Sequence, residues 1–458
     1  MTMTILGNGM VATGIGACGG VPPRVVDGGA VVWQDERILA VGPEDELRRA
    51  YPSAAYLDAH GGLVLPGLVN LHHHFYSALA RGLDPGTAMR SFPEVLDRLW
   101  WRLDRALDLE TVEISAELAA ADCVRAGTTT VFDHHASPAA IADSLDVIAR
   151  AVEKAGISAV LCYEVTDRNG HDEALAGLEE NFRFFEERRG HPRVRGVVGL
   201  HASFTLRDET LARVAGERPE GAGVHIHLAE HPVDMESSRD VFGAGPVQRL
   251  ERYGLLDARC LLAHGIHLGP QSYAAIARQG AVVVHNPESN ANNGVGHLDT
   301  VEAARQGCRV GLGTDGMASS MLRALRAAFL LHRHRTGDPS SGFAVLPELL
   351  TTNVETARAV FDEPLLGELA PGAPADVIVV DAPPPTPLTA ENLFAHLVYG
   401  ASEAPVRHTV ARGRVLLEDF RLTTIDVQAL AARARRLAPA LWDRFHGLAW
   451  GTPYVGAD

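Results

Sequence analysis

The chain has 458 residues, 46% of them hydrophobic and 21% charged. That composition suits a large, folded, globular protein and excludes a disordered one. The net charge of −16 argues against a nucleic-acid or anionic-membrane surface, and no apolar stretch approaches the roughly 20 residues of a membrane span.

Arginine or lysine first occurs at Arg24, so a basic secretory leader is not expected. Cys18, Cys123, Cys162, Cys260 and Cys308 lie far apart with no C-x-x-C pair. They read as reduced thiols of a cytoplasmic protein, not a disulfide framework. Only one lysine occurs, Lys154, against 21 histidines.

Residues 1–65 read as β: residues 31–42 hold two short apolar strands around a polar turn, and 57–65 another. From Pro66 short apolar runs alternate with helical segments. The eight runs are 68–74, 129–134, 158–164, 194–201, 223–229, 260–264, 281–285 and 310–314. Nearly continuous apolar character is what strands buried on both faces require. Residues 108–125 predict a helix ending before Gly127, and Ser137-Pro138 predicts the start of the next. Eight β/α alternations predict an α/β fold, a (β/α)₈ TIM barrel over 66–371. Strands at 375–381 and 408–417 predict a return to β, so that 1–65 and 372–425 form a small β-sandwich domain from both chain ends. Residues 426–458 predict a closing helical segment.

Polar residues gather where the runs end: His72-His73-His74, His225-Ile226-His227 followed by Glu230, then His264, His285-Asn286 and Thr314-Asp315. The C-terminal ends of barrel strands converge on one mouth. Alternation places His72 and His74 on one face, with His73 turned away, and likewise pairs His225 with His227. Three imidazoles and a carboxylate suit zinc, with iron(II) the alternative.

Pro66-Gly67-Leu68-Val69-Asn70-Leu71-His72-His73-His74 resembles the P-G-h-h-N-x-H-x-H signature of the amidohydrolase superfamily. Residues 367–377 resemble that superfamily's return into its β-sandwich. His227-x-x-Glu230, His264 and Asp315 resemble its cytosine deaminase, guanine deaminase and chlorohydrolase branch. Residues 92–109 with Trp100-Trp101, 133–138, 199–205 and 285–290 resemble the SsnA-type aminohydrolases. Binuclear members of the superfamily bridge two metals with a lysine on strand four, and residues 194–201 contain none. The expectation is therefore one divalent ion per chain on His72, His74, His227 and Asp315, with no organic cofactor.

The resemblance implies a hydrolytic deaminase in which metal-bound hydroxide attacks an amidine-type carbon of a purine-like or pyrimidine-like ring and ammonia leaves. Zinc can lower the pKa of water from about 15.7 to about 7. Asp315 and His264 would orient the water, Asp315 would take its proton, and Glu230 would protonate the ring nitrogen or leaving group. The alternatives are triazine dechlorination, cyclic-amide opening and formimino hydrolysis, or, more remotely, a non-catalytic metal-binding homologue. Tyr76, Arg81, Trp100, His135 and His201 are candidate substrate contacts, and the resemblance also implies a homo-oligomer.

Overall fold

The computed structural model describes residues 3–16 and 22–451. All eight apolar runs form parallel strands: Leu68–His73, Thr128–His135, Ser158–Tyr163, Val194–Gly196 with Val198–Ala202, Val224–Leu228, Leu261–His264, Val282–His285 and Arg309–Leu312. Strand ladders follow sequence order, with helices such as Leu109–Arg125, Ser144–Ala155 and His171–Glu187 between them. The architecture is α/β and TIM-barrel-like.

One continuous ladder is not seen. The fourth run breaks at Val197, so that Val194–Gly196 closes a four-stranded sheet and Val198–Ala202 opens a five-stranded one. Isolated bridges at both seams, Val165 with Leu200 and His73 with Asp315, bring the sheets together. At the second seam the backbone N–H groups of Thr314 and Asp315 both donate to the His72 carbonyl (3.1 and 2.9 Å). Gly313 permits this approach: a Cβ there would stand 2.3 Å from Asn286 Oδ1 and 2.9 Å from His72 Cβ.

The chain ends meet in one nine-stranded sheet, where a two-layered sandwich was expected. Leu63–Pro66 runs parallel to Met3–Ala12 and antiparallel to Val377–Val380, joining the two halves. The sheet curls so that Trp33 Nε1 donates to the Gly413 carbonyl (2.9 Å) and Ile38 N to the Ala373 carbonyl (2.9 Å). Trp33, Ile38, Val377, Val379 and Val410 fill the space it encloses. Gly413, at φ +74°, is required there, since a Cβ would overlap the Asp35 carbonyl.

Helix Leu109–Arg125 begins with a reciprocal cap: Asp108 Oδ1 accepts from Thr111 N, and Thr111 Oγ1 accepts from Asp108 N, both at 2.9 Å. Ser137-Pro138 does not begin a helix; the next one is Ser144–Ala155. The Ser137 hydroxyl is committed to the Ala140 carbonyl and to His135 Nε2, each at 2.8 Å, and so cannot cap a first turn. The closing helix, Val427–Gly447, buries Leu437, Leu441 and Phe445. Its Phe445 carbonyl accepts from Arg102 Nη2 (3.0 Å), which ties it to the segment carrying Trp100 and Trp101.

Cys123, Cys162, Cys260 and Cys308 are buried free thiols; Cys18 lies outside the described residues. Among the described residues no helix is long and apolar enough to cross a membrane.

Candidate active site

The strand ends bring together the residues that sequence placed at one mouth. Asp315 Oδ1 lies 3.0 Å from His74 Nε2 and 3.5 Å from His72 Nε2. His227 Nε2 lies 3.2 Å from His74 Nε2. His264 Nε2 is 3.4 Å from Glu230 and 3.9 Å from Asp315. His73 faces the other way and meets Ser319 Oγ at 3.1 Å, as strand alternation requires. Ala229, His264 and Asp315 all sit at positive φ (50°, 76° and 54°). Each such residue costs about 1–3 kcal/mol, and such strain gathers at functional sites.

The ring protons are placed by backbone acceptors. His74 Nδ1 donates to the His134 carbonyl (2.6 Å) and His227 Nδ1 to the His201 carbonyl (2.8 Å). His264 Nδ1 meets Asn290 Oδ1 at 2.8 Å. In each neutral ring Nε2 is then a bare lone pair. Two such lone pairs 3.2 Å apart repel unless a positive charge lies between them. Burial disfavours a proton on His74, but the Asp315 carboxylate outweighs burial and raises its pKa to about 9. Nε2 of His72 and of His264 is buried without a hydrogen-bond partner. A divalent ion meets all of these needs together. Tetrahedral bonds of about 2.0–2.1 Å to nitrogen would set two ligand nitrogens about 3.3 Å apart, close to the separation seen here. The donor set fits the ion.

The surroundings tune two carboxyls in this group. Burial, and then the charge of Asp315, push Glu230 well above the usual carboxyl range. Burial works against the charge of Asp315 too, but His72 and His74 hold that group well below it. The Ser289 hydroxyl donates to Asp315 Oδ2 (2.5 Å), and His225 Nε2 meets His72 Nδ1 (2.9 Å) from behind.

A pocket opens from these groups, walled by Tyr76, Phe92, Trp100, Trp101 and Phe204, with His201 on its rim. Of the candidate substrate contacts, Tyr76, Trp100 and His201 line this pocket, and Trp101 lines it beside Trp100. Two candidates do not. Arg81 is 65% exposed and pairs with Asp122 (2.5 Å), away from the pocket. His135 turns to Ser137 Oγ (2.8 Å), and His134, not His135, faces His74 and His227.

Sequence reasoning missed Glu164, which lines the pocket, and Asp234, which shapes it. Glu164 ends the third apolar run, so the strand-end rule could have found it. Asp234 is 2% exposed and accepts from Phe204 N (3.0 Å) and Ala229 N (2.8 Å), fixing the turn that carries Glu230. Asp234→Asn sets an amide N–H₂ against one of those donors. Thermal and denaturant unfolding should show a loss of about 1–3 kcal/mol, with metal content unchanged.

Comparison with known proteins identifies the family. The profile described as "Amidohydrolase family" matches residues 63–416, and the bacterial "Imidazolonepropionase-like composite domain" matches 29–54. The 5-methylthioadenosine/S-adenosylhomocysteine deaminase of Nitratidesulfovibrio vulgaris is 34% identical over 418 residues, covering 90% of this chain and 92% of that one. The 5'-deoxyadenosine deaminase of Methanosarcina mazei is 30% identical, covering 90% and 93%. Among solved structures, a zinc-bound adenosine deaminase from Xanthomonas campestris superposes with a TM-score of 0.81 at 24% identity, covering 97% and 99%. Atrazine chlorohydrolase from Arthrobacter aurescens superposes with a TM-score of 0.77 at 22% identity, covering 95% and 100%, and shares the fold. The chain belongs to the amidohydrolase family, beside relatives named as deaminases, and is an enzyme of the hydrolase class.

Proposed function

We propose that this protein is a metal-dependent hydrolytic deaminase of an amino-substituted nitrogen heterocycle. Water adds to the amidine-type ring carbon, the carbon–nitrogen bond to the exocyclic amine breaks, and the products are the ring carbonyl compound and ammonia. The observation that carries this reading is the Glu230, His264 and Asp315 triangle set against the clustered Nε2 atoms of His72, His74 and His227.

His72, His74, His227 and Asp315 would hold one divalent ion, zinc by its fit to three nitrogens and one oxygen, with iron(II) the alternative. When bound, the ion supplies Lewis acidity that brings the pKa of water down toward about 7. Asp315 takes one proton from the attacking water, with His264 holding the water in line. Glu230 gives its proton to the ring nitrogen, which ends as the N–H of the product. The proton taken by Asp315 leaves on ammonia, and the second water proton restores Glu230. Trp100 and Trp101, which line the pocket, would pack against a planar ring. The curated relatives are named for adenosine-type substrates, so an aminopurine nucleoside is the first compound to test.

The test is ammonia release by metal-loaded protein over adenosine-type nucleosides, aminopyrimidines, aminotriazines and formimino compounds. Saturable ammonia release with one oxygen gained by the ring is expected for an aminopurine nucleoside. Chloride release from a chlorotriazine with no ammonia from any amino compound would refute the deaminase reading.

A further inference from the structure

The proposed chemistry leaves one buried charge of the pocket unused. Glu164 follows the third barrel strand, is 4% exposed, and lines the pocket. It stands on a different side of the centre from Glu230. Its carboxylate clusters with the ring nitrogens of His74, His134 and His227, within 4.8 Å of one another, whereas Glu230 clusters with His264 and Asp315.

The two carboxyls have different partners: Glu230 meets His264 Nε2 at 3.4 Å, whereas Glu164 faces His134 Nδ1 at 3.3 Å, and both line the pocket.

No neighbour holds Glu164 tightly. Its oxygens lie 3.3 Å from His134 Nδ1, 3.8 Å from His201 Nε2 and 3.9 Å from Arg168 Nη2. A tight charge-assisted bond runs about 2.7–2.9 Å. Arg168 is already engaged by Asp104, and His134 also points its Nε2 at the Leu200 and His225 carbonyls (both 3.1 Å). An ionised carboxylate offers about four lone-pair positions, so Glu164, which lines the pocket, can accept from an N–H that a ligand brings there.

An amidine edge presents the matching pair. Its ring nitrogen accepts and its exocyclic amine donates. A ring bearing chlorine at the same carbon accepts at nitrogen but has no N–H to give. We propose that Glu164 is the residue that selects for an amine leaving group, its carboxylate accepting an N–H of the exocyclic amine while Glu230 serves the ring nitrogen. This rests on the deaminase reading and deepens it, since it names the feature a substrate must carry: a donor amine on the reacting carbon.

The experiment compares two probes that differ only at that carbon, 5'-deoxyadenosine and its 6-chloropurine counterpart. They are assayed with metal-loaded wild type and Glu164→Gln, and the metal content of each is measured by elemental analysis. Losing a hydrogen bond to a charged group should cut kcat/KM for the amino probe about tenfold to 150-fold. The chloro probe should change less than threefold, and metal content should stay at the wild-type level. Equal losses on both probes, an amino-probe loss under threefold, or loss of metal from Glu164→Gln would each overturn the proposal. If Glu164→Gln does not fold, Glu164→Asp, which keeps the charge but withdraws it, must show the same selective loss.

If wild type turns over neither probe, the deaminase reading fails separately. Binding followed by the fluorescence of Trp100 and Trp101 then decides this inference. A tenfold weaker Kd in the variant for the amino probe alone upholds it. Equal Kd values, or no binding, overturn it.

Discussion

Glu230→Gln is expected to lower kcat on the best amino substrate by about 10²–10⁴-fold, the range for removing a placed general acid–base group. The glutamine is isosteric and keeps the contact with His264, where the carboxyl now sits 3.4 Å from Nε2. It can donate a hydrogen bond but cannot give up a proton and recover it within a turnover. The loss should therefore appear in kcat more than in KM. Glu230 lies apart from the proposed ligand set, so elemental analysis should find the ion at its wild-type level. A kcat within threefold of wild type would remove Glu230 from the chemistry. Loss of the ion would make it a ligand instead.

Much of this site was legible because a barrel turns sequence order into spatial order. His72, His74, His227, His264 and Asp315 each end an apolar run, and parallel strands send all their ends to one mouth. The runs themselves stood out because strands buried on both faces need continuous apolar stretches. What failed was information not carried locally. The exchange of His134 for His135 follows from the register shifts where the first strand pairs with the second, between Leu68 and Val69 and between Asn70 and His73. Counting from the strand end cannot see them. Arg81 was misplaced because its partner, Asp122, is 41 residues away on a helix. The break at Val197 and the curl of the nine-stranded sheet are likewise tertiary. They depend on contacts such as Val197 N with the Leu161 carbonyl (3.1 Å) and Trp33 with Gly413, whose register the sequence pattern does not fix. Glu164 is legible in principle, since it too ends a run, but nothing in the run itself separates a pocket-lining carboxylate from a solvated one at a strand end.

Stripping the protein with a chelator should abolish turnover, and adding zinc or iron(II) back should restore it, with one equivalent bound per chain. The same ion should stabilise the fold. A ligand held by the native state alone contributes about 2.7 kcal/mol at a hundredfold excess over its Kd, so the Tm of the loaded protein should exceed that of the stripped one. The cause is the crowding of donors already described: without an ion, His74 and His227 face each other at 3.2 Å, and the buried Nε2 atoms of His72 and His264 have no hydrogen-bond partner. His74→Ala separates the ion's contribution from the rest of the fold. This variant should lose the ion and its activity together, and a chelator should then leave its Tm unchanged. Stoichiometry also tests the assignment of ligands. Among the described residues, His134 and Glu164 bring further donor atoms within 4.8 Å of His74 and His227. Two equivalents in wild type, with one lost in Glu164→Gln, would place a second ion there and refute the single-ion site. One equivalent that survives Glu164→Gln but disappears in His74→Ala puts the ion on His72, His74, His227 and Asp315, and leaves Glu164 free to face the substrate.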